Sequence, residues 1–271
     1  MKKTVLTLSA ILFVLVSACT TNPFTGNKDL NFVSNDQIFP AAFQQYDQFL
    51  SENKVVKGTA DAQMVVRVGQ KIRAAAEKYL NSKGYQGYLN GYEWEYNLVQ
   101  DPSVNAWCMP GGKIVVYTGI LPITKDEAGL ATVMGHEVAH ALVNHGAQRM
   151  SAGQLQQLGA VGVAVATSGK SEQTQQILQQ AYGLGTEFGA ILPFSRKHEN
   201  EADEIGLILM AIAGYNPERA VDFWQRMEAN SGGSAPPEFL STHPSGATRM
   251  NNIKSNIPKA KKEAARFGVT F

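Results

Sequence analysis

Three of the five histidines in this 271-residue chain lie in VMGHEVAHALVNH, residues 133–145, and two of them bracket a glutamate. His136 and His140 are four apart, so on a helix they stand one turn above each other on the same face. Imidazoles so placed can grip one ion from one side, and Glu137 beside them can take a proton from a water held there. A metal lowers the pKa of its water toward ~7, making hydroxide available at neutral pH. Residue frequencies alone place an H-E-x-x-H pattern in a chain of this length on the order of once in a hundred. The motif is therefore suggestive, and its plain rival is an ordinary helix that carries histidines.

A catalytic zinc typically takes three protein ligands and leaves one position open. Extending the motif to a third histidine would need glycine at 143 and histidine at 146, where the chain has Val143 and Gly146. His145 lies about 140° around the helix from His140 and reads as a helix-end histidine near the C-terminal dipole. The remaining supply is SRKHENEADEIG, residues 195–206, in which Glu199 and Asp203 are four apart on one predicted helical face. Glu199 can complete the site, and Asp203 can accept the free ring proton of a ligating histidine and fix its tautomer. Glu201 is the rival ligand, about 200° away from Glu199. The plain alternative is an acidic, solvated helix face. His243, before a proline in STHPSGATRM, could stabilise an oxyanion, fill the open coordination position, or be only a turn residue. Arg249 could pair with Asp203 or with a substrate carboxylate.

Residues 36–83 read as helix, with Met64, Val65, Val68, Ile72, Ala75, Ala76 and Leu80 at helical spacing. YEWEYNLVQD reads as a strand over 92–99, and SVNAWCMPGGKIVVYTGIL as a strand, a turn around Pro110–Gly112 and a second strand. Thr124 with Glu127 three residues on forms a capping box, opening a helix that bears His136 and His140 and runs to about His145. Further helices are expected over 194–213 and after Asn216–Pro217, then a Gly/Pro-rich loop at 231–237 and a last helix. No internal repeat of solenoid length is present. Residues 151–193 are almost uncharged, and LGAVGVAVA within them is too short to span a bilayer. A gate, a membrane-facing helix and a partner surface all remain open for this segment.

An apolar fraction of 44% and a charged fraction of 17% describe a globular chain. A net charge of +1 gives no bulk attraction to nucleic acid, and no nucleic-acid partner is expected. Residues 1–18 read as a signal peptide, with Lys2 and Lys3 before an apolar run from Val5 to Val16. VSAC at its end resembles a bacterial lipobox, which makes Cys19 a lipidation site and 19–35 a tether to the domain at 36–271. Thr20 in place of aspartate suggests outer-membrane sorting. Cys108 is then left without an intramolecular partner and reads as a buried apolar thiol.

HEVAH, SRKHENEAD, NAWCMPGGKIVVYTG and the lipobox together resemble the M48 family of zinc metallopeptidases, in its bacterial lipoprotein branch, over roughly residues 55–255. The resemblance implies an α+β, mostly helical zincin-type fold with a small sheet whose edge strand flanks the active-site helix. It implies one zinc ion held by His136, His140 and Glu199, with Glu137 as base and Asp203 matching the family's aspartate. GGKIVVYTGI, with Gly112 and Ile114, then looks like the edge strand along which an extended peptide lies, while Asn105 and Ala106 present backbone groups to it. A plain core strand fits the same residue types.

The expected protein is a membrane-tethered zinc metalloendopeptidase that cleaves unfolded or misassembled proteins on the periplasmic side of a bacterial envelope. Its partners would be protein or peptide substrates, the membrane through Cys19, and envelope proteins. A zinc-containing, chaperone-like or binding lipoprotein with latent or no protease activity is the alternative, and intact Glu137 argues against it. Peptide deformylase shares the motif but needs a cysteine ligand, and Cys108 lies in AWCMP, outside that context.

Overall fold

The computed structural model describes residues 19–186, 192–230, 237–244 and 246–271. The signal read over 1–18, residues 187–191 and most of the 231–237 loop lie outside them. The described residues divide into two compact units, one of those within 35–143 and 199–271, the other of those within 19–34 and 144–198.

In the larger unit, the stretch expected as helix from 36 to 83 is two helices, α1 (Asn35–Glu52) and α2 (Ala60–Ser82), separated by the short strand β3 (Val55–Val56). Gly58 at φ +76 turns the chain between them, and the Thr59 hydroxyl accepts from Ala62 N to cap α2. The sheet is completed by β4 (Glu95–Val99), β5 (Ala106–Met109) and β6 (Lys113–Tyr117), in the order β3-β4-β6-β5. β4 runs parallel to β6, whereas the β5–β6 and β3–β4 pairs are antiparallel. The expected strand–turn–strand is therefore present, and Gly111 and Gly112 form its turn at φ +85 and +89. A side chain at Gly112 would also meet the Trp94 ring at 2.7 Å.

Alternation along the strands builds two apolar layers. Val99 and Val115 join Tyr46 of α1 on one face, with Phe49, Trp107 and Tyr117 around them. Tyr96, Ile114 and Val116 lie on the other face, where the Tyr96 ring fills the space a side chain at Gly69 of α2 would need.

A 3₁₀ turn at Thr118–Ile120 leads into α3 (Leu121–Thr124), and Lys125 at φ +63 breaks the chain before α4 (Glu127–Leu142). That break moves the cap from its expected place. Asp126, not Thr124, accepts from Gly129 N at 2.9 Å, while the Thr124 hydroxyl donates to Leu121 O. Every residue of α4 from Gly129 to Leu142 is buried, as its nearly uninterrupted apolar and small composition demands. It packs on α2 and β5. Tyr88 and Tyr92 donate to Leu142 O and Ala141 O, satisfying carbonyls that the helix end leaves open.

Asn144, in the left-handed region at φ +56, ends this run, so His145 is not the end of α4 but the first residue of α5 (His145–Thr167). In the smaller unit α5 pairs with α6 (Glu172–Thr186), and β1 (Cys19–Thr21) pairs antiparallel with β2 (Lys28–Leu30). The His145 ring stacks on His198 with centroids 3.9 Å apart, and His198 Nε2 lies 3.0 Å from Gln148 Oε1. The remaining helices are α7 (Leu192–Ile212), α8 (Arg219–Ala229), α9 (Glu238–Thr242) and α10 (Ala247–Ala265). Asn216 Oδ1 accepts from Glu218 N in the turn that leads into α8. The mostly helical α+β architecture agrees with the sequence expectation. No described helix is long and apolar enough to cross a membrane.

Candidate metal centre

α4 supplies His136, Glu137 and His140, α7 supplies Glu199 and Asp203, and His243 stands just after α9. The close approach of α4 and α7 depends on two glycines. A side chain at Gly206 would come 2.9 Å from His136 N, and one at Gly135 would come 2.9 Å from Gly206 O. Only hydrogen at both positions lets α7 lie near enough for its carboxylates to reach the α4 histidines.

One atom each from His136, His140, Glu199 and His243 lies within 4.8 Å of the others. His136 Nε2 is 3.1 Å from His140 Nε2 and 3.3 Å from Glu199 Oε2, and His140 Nε2 is 3.4 Å from Glu199 Oε1. Four donors at metal–ligand bonds of about 2.0–2.1 Å in a tetrahedron are roughly 3.3 Å apart, so zinc fits this spacing and this donor chemistry. His243 Nδ1 is 3.1 Å from His136 Nε2 and 2.9 Å from Glu199 Oε2, which puts it in the fourth place. Glu201, the rival ligand, is buried but does not join this group.

Asp203 Oδ1 lies 2.9 Å from His136 Nδ1 and accepts that ring proton, leaving Nε2 to face the donor group. Arg249 holds the same carboxylate through both oxygens, at 2.7 Å and 2.8 Å, and its guanidinium lies 3.8 Å from the Trp224 ring centroid. Of the two sequence readings of Arg249, its place against Asp203 is the one observed. Its Nη1 also donates to the carbonyls of His243 and Pro244, tying the His243 loop to the site. Trp224 was not legible in the sequence, since an aromatic in the amphipathic VDFWQRM is ordinarily core; Arg249 over its face and the His136 ring set edge-on to it at 6.2 Å mark its place in the site.

Burial opposes charge on His136, yet hydrogen bonds to Asp203 and Glu199 outweigh it and raise its pKa to about 9. A metal entering the site therefore displaces a proton. Burial likewise opposes charge on Glu199, but bonds from His136, His140 and His243 hold its carboxyl well below the usual range. Asp203 is held low against burial by Arg249 first. Glu137 differs. Burial raises its carboxyl, opposed by His243 and His136, and its buried Oε1 accepts no hydrogen bond among the described residues. Its nearest basic group is His243 Nε2 at 3.4 Å.

The strand at the edge of the sheet is not the one expected. β6, which carries Ile114, is interior, with β4 and β5 on its two sides, and the strand at the edge beside α4 is β5. Parallel pairing with β4 captures β6, so Ile114 is fully buried and Gly112 belongs to the turn. Asn105 and Ala106 sit at the start of β5, where Asn105 O accepts from Tyr117 N and Asn105 Oδ1 accepts from Ala106 N. Asn105 O and Ala106 N are thereby engaged, and Trp107, Cys108 and Met109 form the rest of the edge. Cys108 is half-buried rather than fully enclosed, and burial followed by the nearby Glu137 charge pushes its thiol up.

A histidine pair and a base on one buried helix, facing a carboxylate on a second helix, is the arrangement of the H-E-x-x-H metallohydrolases. Peptidase family M48 matches residues 67–257, and the chain belongs to that family. Mitochondrial metalloendopeptidase OMA1 of Schizosaccharomyces pombe is 39% identical over 173 residues, 64% of this chain and 49% of that protein. The human metalloendopeptidase OMA1, mitochondrial, is 30% identical over 248 residues, covering 89% of this chain and 46% of the relative. The beta-barrel assembly-enhancing protease of Escherichia coli strain K12 is 28% identical over 187 residues, 66% of this chain and 38% of the relative. The chain thus spans about half or less of the length of these curated relatives.

Proposed function

We propose that this chain is a membrane-tethered zinc metalloendopeptidase that cleaves unfolded or misassembled proteins on the periplasmic side of a bacterial envelope. The observation that carries the reading is Glu137, a buried carboxylate with an oxygen that accepts no hydrogen bond among the described residues, set beside a donor group that fits zinc. The names of the relatives support the class of reaction, and the name of the bacterial one adds beta-barrel assembly.

His136, His140 and Glu199 would hold the metal. Zinc, when bound, supplies the Lewis acidity that lowers the pKa of water and polarises a carbonyl. Asp203 fixes the His136 tautomer, and Arg249 keeps Asp203 ionised. Glu137 takes the proton of the attacking water on a carboxylate made more basic by burial, then returns it to the leaving amine. The substrate backbone adds to the edge of β5 at Trp107–Met109, a mode that reads extended conformation more than side chains and so suits unfolded chains. A lipid on Cys19 tethers the domain, with outer-membrane sorting from Thr20. His243, whose Nδ1 lies 3.1 Å from His136 Nε2, would occupy the fourth position of a bound zinc and close the site, which supports latency as a regulated state. Released, it is placed to donate to the oxyanion.

Casein hydrolysis by the zinc-loaded chain beside Glu137→Gln tests this, with zinc measured on both. The expected result is a loss of about 10²–10⁴-fold in the variant, the range typical of a general base, with zinc retained. Zinc in both and cleavage by neither would reject turnover and leave the binding reading.

A further inference from the structure

The α5–α6 hairpin of the smaller unit presents an apolar face that nothing in the proposed chemistry uses. Leu158, Val161 and Val165 are 67, 60 and 69% exposed, and Ile177 on α6 is 58% exposed. At 100° per residue, positions 158, 161 and 165 fall within an arc of about 60°, with Met150, also exposed, at its margin. Between 151 and 186 the only charged residues are Lys170 and Glu172, in the connection and at the start of α6. The hairpin is nonetheless a defined object. Gln156 donates to the Thr186 hydroxyl, Gln179 to Ala160 O and Tyr182 to Gln156 O, and Gly159 leaves room for the Tyr182 ring.

The same unit contains the start of the described chain. Cys19 opens β1 and pairs with Leu30 of β2, and this ribbon is fastened beside the base of the hairpin. Phe32 N donates to the Ser151 hydroxyl at 2.9 Å, and Lys197 pairs with Asp29 at 2.7 Å. A lipid on Cys19 would therefore hold the bilayer next to an exposed apolar stripe. Single apolar side chains on a surface are ordinary, but a stripe of this kind with so little charge calls for a partner.

We propose that the α5–α6 hairpin lies on the lipid bilayer, its stripe of Leu158, Val161, Val165 and Ile177 entering the boundary between headgroups and acyl chains as a second anchor. The inference rests on the lipidation of Cys19 proposed above for what brings the membrane near. Two-signal attachment restricts how the unit sits on the surface, whereas a lipid alone leaves it free to swivel. Because Lys170 and Glu172 cancel, docking is apolar and indifferent to anionic lipid and to salt.

The test uses the full mature chain on phosphatidylethanolamine vesicles, with and without phosphatidylglycerol, doped with a diazirine phospholipid, irradiated and digested with trypsin. Lipid adducts are expected in the fragment 150–170 at about tenfold the density in 58–67, as interfacial burial requires, and unchanged by salt or phosphatidylglycerol. Val161→Asp with Val165→Asp should remove them while the chain still floats with the vesicles. Equal labelling of the two fragments overturns the proposal. Intact mass reads the acyl chains on Cys19 separately. If they are missing, labelling of any chain that still floats decides docking alone, and failure to float overturns it. A vesicle-independent dimer broken by the same double substitution, without lipid adducts, assigns the stripe to a second copy and also overturns it.

Discussion

Asp203 is gripped by Arg249 through both carboxylate oxygens, at 2.7 and 2.8 Å, while one of those oxygens also takes the Nδ1 proton of His136. The guanidinium is buried against Trp224 and bonded to two carbonyls of the His243 loop. One side chain thus keeps the orienting carboxylate ionised and fixes the segment that carries the fourth donor.

Arg249→Lys is expected to weaken zinc binding by about 10–100-fold, because a lysine cannot make the two-pronged contact that aims Asp203 at His136. Arg249→Met should in addition cost about 3–5 kcal/mol of stability by leaving Asp203 buried without its counter-charge. Chelator competition and urea unfolding measure the two effects. Unchanged metal affinity in the lysine variant would remove Arg249 from the positioning role.

Glu199 and His243 should separate on metal retention. Glu199 meets both α4 histidines, so Glu199→Ala is expected to leave the chain without zinc after dialysis. His243→Ala leaves three donors and should keep close to one zinc per chain, the number a catalytic site needs. Metal analysis decides it. Zinc lost equally from both variants would make His243 an ordinary ligand and remove the basis for a closed form.

Helical periodicity made two pairs legible, His136 with His140 and Glu199 with Asp203; that the two pairs meet followed from the need of a zinc site for a third ligand and from the family resemblance. Two further facts needed no partner to be visible: the strand–turn–strand around Gly111–Gly112 and the helix after Asn216–Pro217. Strand order was not legible. Both limbs of the hairpin are apolar and β-branched or aromatic, and only the parallel pairing of β4 with β6, distant in sequence, decides that β5 is the edge. The cap of α4 shifted by two residues because Lys125 adopts a positive φ that no residue preference announces. His145 changed from a helix end to a helix start for the same kind of reason, the left-handed Asn144.

Gly206→Ala is expected to damage the metal site without touching a ligand. Its new methyl would come 2.9 Å from His136 N and 3.1 Å from His136 Cα, backbone atoms that cannot rotate away. The helices must part by a few tenths of an ångström or more, at a cost of about 1–3 kcal/mol typical of overpacking. Glu199 and Asp203 move with α7, so zinc affinity should fall together with the melting temperature. A variant with full stability and full zinc affinity would show that the glycine contact does not set the spacing of the donors.

Away from the metal, Glu127 links the stability of the fold to pH. Glu127, at the start of α4, accepts from the Tyr215 hydroxyl at 2.7 Å and from Arg67 Nε at 2.7 Å. The Tyr215 bond does most to hold its carboxyl below the ordinary value, partial burial opposes it, and Arg67 adds to the lowering. A carboxyl depressed in the folded state stabilises it above the unfolded pKa, near 4.3 for glutamate, and this contribution is lost as pH falls through the lower folded value. Tyr215→Phe should therefore cost about 1 kcal/mol at pH 7, the worth of a partly exposed bond to a charged group. At pH 3 the cost should shrink, because the protonated carboxyl has less to lose. Thermal melts of parent and variant at the two pH values provide the check. An equal drop at both would mean that Tyr215 acts through packing alone, including its ring under Lys71, rather than through the charge on Glu127.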